Sequence, residues 1–397
     1  MKLVVLTNIM TPYRIPLFEA LQRRVSNFTV LLMAQQEENR RWRLKQPNFK
    51  TQVLPGLHLR AGRQKPSRHI NYGVIRTLNK LNPDVVLSGG FAPANFFGWL
   101  YCKIYRKKFV GWGELTIKDT IEVSVHKKVL RWMLTRFSDG SIASSRDARE
   151  TFLHYGAKGN RILTATLPID VSYFYKKTTE FRSTHEYKEL RAQYPGPILL
   201  SIGQLIPRKG YLEMFRIYKQ ILETQPNAYL LIVGQGPDQA LYEKEVRQKG
   251  FSRVHFLGYI QTEELHKVLA IADCFIFHTL WDPFGVVLSE AMAAELPSVS
   301  SIYASATRDL IEEGVTGFRI DPKNVEASAV AIMKVLEMTP EERKGLGKRA
   351  YERVKQCDVE PAADAIIHFL DSMGHPQGHS GNIRKVNSIE QVHEEHR

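Results

Sequence analysis

Short runs of consecutive apolar residues alternate with amphipathic stretches, and this alternation occurs twice along the chain. The runs lie at 2–6, 28–33, 83–87, 109–114, 140–144 and 162–165, and again at 197–203, 228–234, 254–258, 273–278 and 298–300. Unbroken apolar runs are typical of parallel strands buried on both faces. Strands that alternate with helices predict an α/β fold of two Rossmann-like, doubly wound parallel-sheet domains. The carboxyl ends of both sheets then face a central cleft.

The length of 397 residues suffices for two domains, each with its own core. We predict a first domain over 1–170, a polar and charged linker over 171–196, and a second domain over 197–356. We expect residues 357–372 to form a helix that packs back on the first domain. The polar, Gly- and His-rich stretch 373–397 predicts a disordered tail.

The composition is that of a soluble globular protein, with 43% hydrophobic and 24% charged residues. We find no run long enough to span a bilayer and no secretory signal. Cys102, Cys274 and Cys357 are far apart and lack metal-site or redox spacing. These features favour a reducing cytoplasm.

The positive charge is concentrated in the first half of the chain. Residues 1–170 hold 28 Lys and Arg against 11 Asp and Glu, whereas residues 171–397 hold 27 against 30. This asymmetry predicts an anionic partner for one domain, either a membrane surface, a phosphorylated acceptor or nucleic acid. The basic stretch 35–68 is either a functional loop or a solvated insertion; its cations include Arg40, Arg41, Arg43, Lys45, Arg60, Arg63, Lys65 and Arg68.

The segment after the apolar run 273–278 combines two carboxylates with a helix start. Asp282 precedes a Pro-Phe-Gly turn, a helical run follows, and Glu290 stands eight residues after Asp282. At such a start the N–H groups of Phe284, Gly285 and Val286 lack helical partners, which makes an anion site. The alternative is an ordinary helix capped by Asp282, with Glu290 in solvent.

Several motifs resemble those of glycosyltransferase family 4, which has the GT-B fold. They are the turn Gly203-Gln-Leu-Ile-Pro-Arg-Lys-Gly210, the turn Val233-Gly-Gln-Gly-Pro237, the segment 256–259, the pair Asp282-x7-Glu290 and the turn Thr316-Gly-Phe318. In the first half, 12–21 and 167–170 also resemble family patterns. This sequence departs from the family in having Gln204 where Arg is usual and Asp282 where Glu is usual.

The resemblance implies a nucleotide-sugar donor bound by the second domain. Fixed cations would stabilise the diphosphate leaving group as its charge grows, a role that suits Lys209. Arg208 could replace the charge missing at Gln204, although adjacent side chains generally point in different directions. Glu290 would accept hydrogen bonds from the ribose hydroxyls, and Asp282 would face the sugar or the phosphates. The donor site would also include Gly203, Gln204, Tyr259 and the 284–286 amides, with Thr307 and Asp309 as weaker candidates.

The first domain should hold the acceptor. Glu114 follows a predicted strand and could reach the cleft, where it would act as a catalytic or acceptor-positioning group. The alternative for Glu114 is a helix cap or a salt-bridged loop acid. His126 is a further candidate, but a histidine beside Lys127 and Lys128 is more often simply exposed.

The expected activity is therefore that of a retaining, hexosyltransferase-type glycosyltransferase with a UDP- or GDP-linked donor, acting in cell-envelope, exopolysaccharide or glycolipid synthesis. The absence of an Asp-x-Asp triplet argues against a metal site, and we expect no further cofactor. A non-catalytic GT-B sugar- or nucleotide-binding partner remains an alternative, given Gln204 and Asp282. Only the charge suggests nucleic-acid binding; no helix-turn-helix, zinc or RNA-recognition signature accompanies it, and we expect no nucleic-acid partner. The missing Gly-x-Gly-x-x-Gly after the first strand disfavours a dehydrogenase.

Two segments, 98–109 and 127–137, interleave aromatic residues with cations. Either they are amphipathic helices with an apolar stripe in the core, or they dock on anionic lipid and so reach a lipid-linked acceptor. The protein would then be peripheral on the inner face of the cell membrane rather than free in the cytoplasm.

Overall fold

The computed structural model describes residues 1–37, 42, 44, 46–59, 68–121 and 123–373. Part of the basic excess lies outside these residues, namely Arg40, Arg41, Arg43, Lys45, Arg60, Arg63 and Lys65. The predicted tail also lies outside them, except for Met373, which packs against the hydrophobic core of the first domain.

The first domain is built on a seven-stranded parallel sheet with the order β3-β2-β1-β6-β7-β8-β9, beside an antiparallel pair, β4 and β5. The strands are β1 Lys2–Thr7, β2 Asn27–Leu32, β3 Lys50–Val53, β4 Gly56–Leu59, β5 Arg68–Asn71, β6 Val85–Gly89, β7 Lys108–Gly113, β8 Gly140–Ala143 and β9 Ile162–Thr164. Central strands such as β1 and β8 are buried along nearly their whole length, because helices cover both faces of the sheet. Residues 50–53, expected to be irregular, form an edge strand exposed to solvent.

The second domain is built on a six-stranded parallel sheet with the order β12-β11-β10-β13-β14-β15. Its strands are β10 Ile198–Ile202, β11 Tyr229–Val233, β12 Val254–Gly258, β13 Cys274–Phe277, β14 Ser298–Ser301 and β15 Phe318–Ile320. The order reverses at β10 and β13, which are paired with Leu199 opposite Cys274. A crevice opens at such a reversal, outside the carboxyl ends of the two strands.

Sixteen α-helices connect and cover the strands within the described residues. They are α1 Ile15–Gln22, α2 Val74–Leu81, α3 Pro93–Ile104, α4 Lys118–Ile121, α5 Val125–Arg136, α6 Arg146–His154, α7 Val171–Arg182, α8 His185–Ala192, α9 Tyr211–Thr224, α10 Gln239–Gln248, α11 Leu265–Ile271, α12 Val286–Ala293, α13 Ser305–Leu310, α14 Val325–Leu336, α15 Pro340–Val354 and α16 Val359–Ser372. None of the helices in this part of the chain is both long and apolar enough to cross a bilayer.

The connector expected over 171–196 is instead largely helical. Val171 and Phe174 of α7 belong to the same core cluster as Leu200 and Phe275 of the second sheet. Their side chains are apolar and spaced one turn apart, so burial fixes the helix on that sheet even though its outer face is polar.

The chain crosses between the domains twice, and the two crossings lie side by side. Ile169 donates a backbone hydrogen bond of 3.1 Å to Cys357, and Ile169 forms a parallel bridge with Asp358. After the second crossing, Ala363 and Ile366 of α16 pack into the core of the first domain. The paired crossings hold the carboxyl edges of the two sheets facing each other.

Candidate functional site

The turn after β10 brings two cations to the carboxyl edge of the second sheet. Pro207, Arg208 and Lys209 form one turn of 3-10 helix, and Gly210 ends it with φ at 73°. A Cβ atom on Gly210 would lie 2.4 Å from the carbonyl oxygen of His278, at the end of β13. Only glycine allows this approach, which places the turn against the segment that carries Asp282.

Lys209 and Asp282 form a buried ion pair. The Lys209 Nζ atom lies 2.5 Å from Asp282 Oδ2, and the two side chains are only 12% and 11% exposed. Burial by itself raises the pKa of Asp282, but Lys209 and Arg208 outweigh it and hold that pKa below its ordinary value. Asp282 therefore stays ionised and offsets the charge of Lys209.

Arg208 points to the same carboxylate as its neighbour Lys209, which is the first of the two alternatives for this side chain. Its Nη1 lies 3.4 Å from Asp282 Oδ2 and donates a 3.0 Å hydrogen bond to the carbonyl of Trp281. The guanidinium also lies over the Trp281 ring, 5.3 Å from its centroid. These contacts with Trp281 turn the Arg208 side chain back toward the cleft. The site thus contains two cations and one anion.

The helix start after Asp282 offers fewer free amides than the sequence predicts. The Phe284 N–H donates to Asp282 Oδ1 at 3.2 Å and is therefore not free for a ligand, while the Phe284 ring is buried in the core. Gly285 begins α12 with φ at 101°, and a Cβ atom there would lie 2.3 Å from the Phe277 ring. The N–H groups of Gly285 and Val286 remain the candidate anion donors at this helix start.

Glu290 lies on α12, one and a half turns beyond Gly285, and is 6% exposed. Burial raises its pKa to about 7 from the ordinary 4.5. Among the described residues no side chain or backbone group donates a hydrogen bond to its carboxylate. Its oxygens are not fully enclosed, so the carboxylate opens to the crevice, where a ligand can reach it. Vicinal hydroxyls of a ligand would provide the missing donors.

Three closely packed glycines form the bottom of the crevice next to Lys209. Gly203 donates to Val233 at 2.9 Å, and Gly234 donates to Gly258 at 2.7 Å. A Cβ atom on Gly234 would lie 1.9 Å from the Gly203 carbonyl oxygen. Gln204 and Tyr259, which follow Gly203 and Gly258, are both half-buried at this edge. The structure therefore places Gly203, Gln204 and Tyr259 at the same sheet edge as Lys209.

Glu114 follows β7 in the first domain and is paired with Arg14. The Arg14 Nη2 atom lies 2.6 Å from Glu114 Oε1, which also accepts a 3.3 Å hydrogen bond from the Tyr13 hydroxyl. Arg14 lies over the Trp112 ring at 4.9 Å. The salt-bridged alternative is thus the observed state. His126, the other candidate of this domain, is exposed on α5, where it contacts Ser124.

A cavity of about 270 Å³ lies between the domains and reaches Asp282. Thr116, Ile117 and Lys118 line it from the first domain, whereas Trp281 and Tyr303 line it from the second. Tyr13 also packs against the core cluster of the second domain. The loop just after Glu114 therefore borders the same space as the Lys209–Asp282 pair.

Thr307 and Asp309 are engaged away from this cavity. Thr307 donates to the Ser301 carbonyl at 2.7 Å, and Asp309 accepts a 3.2 Å hydrogen bond from the Arg146 N–H across the domain interface. Burial, only partly offset by the hydrogen bond and charge of Arg146, raises the pKa of Asp309 to about 6. Next to it, Arg308 contacts Asp147 at 2.7 Å. Asp309 and Arg308 thus join α13 to α6, which favours a structural role.

The described residues contain no group of three or more His, Cys, Asp or Glu side chains placed to hold a metal ion. At the carboxyl edge of the second sheet, Lys209 and Arg208 offer positive charge to a bound anion.

Tyr13, Arg14 and Trp281 belong to the site but were not predicted as site residues. Trp281 stands directly before Asp282, a signal that could have been used. The pairing of Arg14 with Glu114 joins residues 100 positions apart, and only the sheet topology shows it.

Comparison with known proteins gives a consistent picture. Residues 184–353 match the family model described as glycosyl transferases group 1. An uncharacterized glycosyltransferase of Methanocaldococcus jannaschii is 30% identical over 168 residues, which are 42% of this chain and 41% of that protein. This match thus spans about two fifths of the length of the relative.

A longer match covers 280 residues at 25% identity, 66% of this chain and 68% of the relative. That relative is the GDP-mannose-dependent monoacylated alpha-(1-6)-phosphatidylinositol monomannoside mannosyltransferase of Corynebacterium glutamicum. Among solved structures, Anabaena HepE in complex with UDP and glucose superposes with a TM-score of 0.73 at 17% identity, covering 94% of this chain and 100% of that chain. At this identity the superposition shows a shared fold.

Proposed function

We propose that the chain is a glycosyltransferase that uses a nucleotide-diphosphate sugar, since it has the GT-B fold and its residues 184–353 match the group 1 glycosyl transferase model. The observation that carries the proposal is the arrangement of Lys209, Asp282 and Glu290 at the reversal point of the second sheet. One ligand across that edge would place a diphosphate at Lys209 and a ribose at Glu290.

The two cations match a diphosphate leaving group. As the bond between the anomeric carbon and the phosphate oxygen breaks, negative charge grows on the diphosphate, and fixed cations stabilise it. Lys209 and Arg208 are held beside Asp282 before any ligand arrives, so little reorganisation is needed. A bound diphosphate would form an ion pair with Lys209 in place of Asp282, and the Asp282 carboxylate would then face the sugar. The Gly285 and Val286 amides would add donors without charge.

Glu290 fits the ribose of the donor. Its carboxylate is buried without a donor among the described residues, and two vicinal hydroxyls would satisfy both of its oxygens. Gly203, Gln204 and Tyr259 would complete the donor site around the phosphates and the base.

We place the acceptor in the cavity between the domains. The acceptor hydroxyl would bond to the anomeric carbon, the nucleoside diphosphate would leave, and one proton would be released. Glu114 lies two residues before Thr116, which lines this space, and Arg14 and Tyr13 fix its carboxylate. Its proposed role is to position the acceptor.

The proposal also covers the sugar, the stereochemistry of transfer, the donor nucleotide and the location of the protein. We propose transfer of a hexose with retention, from a UDP- or GDP-linked donor and without a metal or further cofactor, as the resemblance to glycosyltransferase family 4 implies. We place it in the cytoplasm or at the inner face of the membrane, in the synthesis of an envelope polysaccharide or glycolipid. A relative named as acting on a phosphatidylinositol mannoside supports a lipid-linked acceptor.

A second candidate is a non-catalytic sugar- or nucleotide-binding partner. It is favoured by Gln204, which supplies no charge where the family has Arg. It is also favoured by Asp282, which already forms an ion pair with Lys209. A thermal-shift panel of UDP, GDP, ADP and their sugar conjugates would identify the donor, since a ligand of the folded state raises the melting temperature. Hydrolysis of that donor by the wild type and by Gln204→Arg then separates the candidates. An enzyme releases sugar from the donor, whereas binding without release in both proteins supports the partner.

A further inference from the structure

The outer face of α5 carries apolar side chains that the core does not use. Val125, Val129 and Trp132 follow one another at helical spacing and are 76%, 56% and 46% exposed. Arg136 continues the same face by one more turn and is also exposed. The apolar stripe expected to face the core is thus only partly buried, with Leu134 on the inner side. An exposed apolar row of this kind marks an interaction surface.

A basic pocket lies at the carboxyl end of this helix. It has a volume of about 220 Å³ and is lined by Lys103, Arg136, Lys158 and Arg161 together with one acid, Asp139. Asp139 is already paired with Lys108 at 3.3 Å and with Lys103 at 3.8 Å. Within the described residues, no acid pairs with Arg136, Lys158 or Arg161. The pocket therefore has an excess of uncompensated positive charge.

The apolar row and the pocket adjoin each other. Phe137 lines the pocket, is 45% exposed, and contacts Trp132 edge-on with ring centroids 5.5 Å apart. Lys127 and Lys128, both exposed, flank the row on α5. Apolar side chains that insert beside cations which remain at the surface are the pattern of a helix that lies on an anionic bilayer.

The middle of α5 contacts the short helix that borders the cleft. Arg131 donates a 2.9 Å hydrogen bond to the carbonyl of Asp119 on α4, which begins at Lys118. Ile117 and Lys118 line the cavity that reaches Asp282, and Ile117 is 44% exposed. A surface lying against α5 would therefore run from the basic pocket to the mouth of the cleft.

We propose that the outer face of α5 and the adjoining basic pocket form a docking surface for the anionic inner face of a membrane, with the lipid phosphates in the pocket and Val129 and Trp132 in the interface. This surface deepens the proposed function, since it would present a lipid-linked acceptor to the cleft, but binding to lipid does not depend on catalysis. The charge of the first half of the chain, 28 cations against 11 acids, has the sign that such a surface requires.

The test is co-sedimentation of the full chain with vesicles of phosphatidylcholine alone and of equal parts phosphatidylcholine and phosphatidylglycerol. We expect binding to the anionic vesicles only, weakening as salt is added. Lys158→Glu with Arg161→Glu should lower the partition coefficient by about 25-fold or more, since each cation near an anionic surface contributes about fivefold. Val129→Ser with Trp132→Ser should lower it by about tenfold or more.

Matched controls lie on the second domain, where Arg216→Glu with Arg247→Glu and Leu241→Ser with Val330→Ser change equally exposed cations and apolar residues. These should bind within about twofold of the wild type, and all variants should keep its melting temperature because the sites are exposed. Equal binding by the α5 variants and the controls would overturn the proposal. So would no binding to anionic vesicles, preferential binding to duplex DNA, or self-association that Trp132→Ser abolishes. Donor hydrolysis, measured on the same variants, should be unchanged and reports separately on the proposed function.

Discussion

The Lys209 ammonium lies 2.5 Å from the Asp282 carboxylate, and the two side chains come from loops 73 residues apart. Both are almost fully buried, so neither charge is screened by water. Arg208 approaches the same carboxylate at 3.4 Å. The site thus holds its cations in place with a carboxylate, which the proposed diphosphate would replace.

Replacement of Lys209 should separate the structural role of the pair from its function. Lys209→Met leaves Asp282 as a buried, poorly paired anion and should lower the free energy of unfolding by about 3–5 kcal/mol. Lys209→Met combined with Asp282→Asn should recover most of that loss but should not recover sugar transfer. Denaturant unfolding and donor turnover measure the two quantities. A double variant that transfers sugar at the wild-type rate would show that Lys209 serves the fold alone.

Glu290→Gln should stabilise the protein at alkaline pH. With a folded-state pKa of about 7 against an ordinary 4.5, Glu290 keeps a proton in the folded state that the unfolded chain releases. Stability of the wild type therefore falls as the pH rises from about 4.5 to 7, by roughly 3 kcal/mol, whereas Gln does not titrate. The variant should be more stable than the wild type at pH 8 and equal to it at pH 4. It should also bind the donor less tightly, since the amide is uncharged and offers one acceptor oxygen where the carboxylate offers two. Equal pH profiles of stability would contradict the buried position of Glu290.

Gly285→Ala should damage the helix start far more than a comparable change elsewhere. Gly285 has φ at 101°, and its added Cβ atom would lie 2.3 Å from the Phe277 ring. Gly314 also has a positive φ, 71°, but has no atom within 4 Å of the added Cβ. Gly314→Ala should cost about 1 kcal/mol, the backbone penalty alone, and Gly285→Ala several times more. If thermal or denaturant unfolding showed equal losses of stability in the two variants, the contact with Phe277 would not affect the stability.

Glu114→Gln should affect transfer but not donor hydrolysis. The amide can still accept hydrogen bonds from Arg14 and Tyr13, so the fold should hold, but the negative charge is lost. We expect transfer to an acceptor to fall by about tenfold to a hundredfold, with hydrolysis of the donor in water within about twofold. Asp84→Asn, at the opposite edge of the same sheet, is the matched control. A parallel loss of both activities would place Glu114 in the donor site instead.

Much of the fold could be predicted because burial sets the pattern of its strands and long helices. The strand predicted from the apolar run 228–234 is β11, Tyr229–Val233, since the sheet buries nearly all of its residues. The short strand β15, Phe318–Ile320, was missed because an exposed arginine interrupts its apolar run. The helix α7 was taken for a linker because its outer face is polar.

The candidate site was predictable as a set of residues but not as a geometry. Sequence spacing put Asp282 and Glu290 on one helical segment, whereas the contact of Lys209 with Asp282 depends on β10 and β13 being neighbours. The direction of Arg208 depends on Trp281, and the state of Glu114 depends on Arg14. Such contacts join distant parts of the chain, and local pattern carries no information about them.

The most direct test is calorimetric titration of UDP and GDP, each compared with its own nucleoside. It asks whether a diphosphate replaces Asp282 as the ion-pair partner of Lys209. For the nucleotide that binds, the wild type should bind the diphosphate more tightly than the nucleoside, and Lys209→Met should remove this difference in affinity. Asp282→Asn should increase it by about tenfold, because the competing carboxylate is gone. Equal affinities for nucleoside and diphosphate, or a Lys209→Met variant that binds the diphosphate as tightly as the wild type, would contradict the proposed donor site.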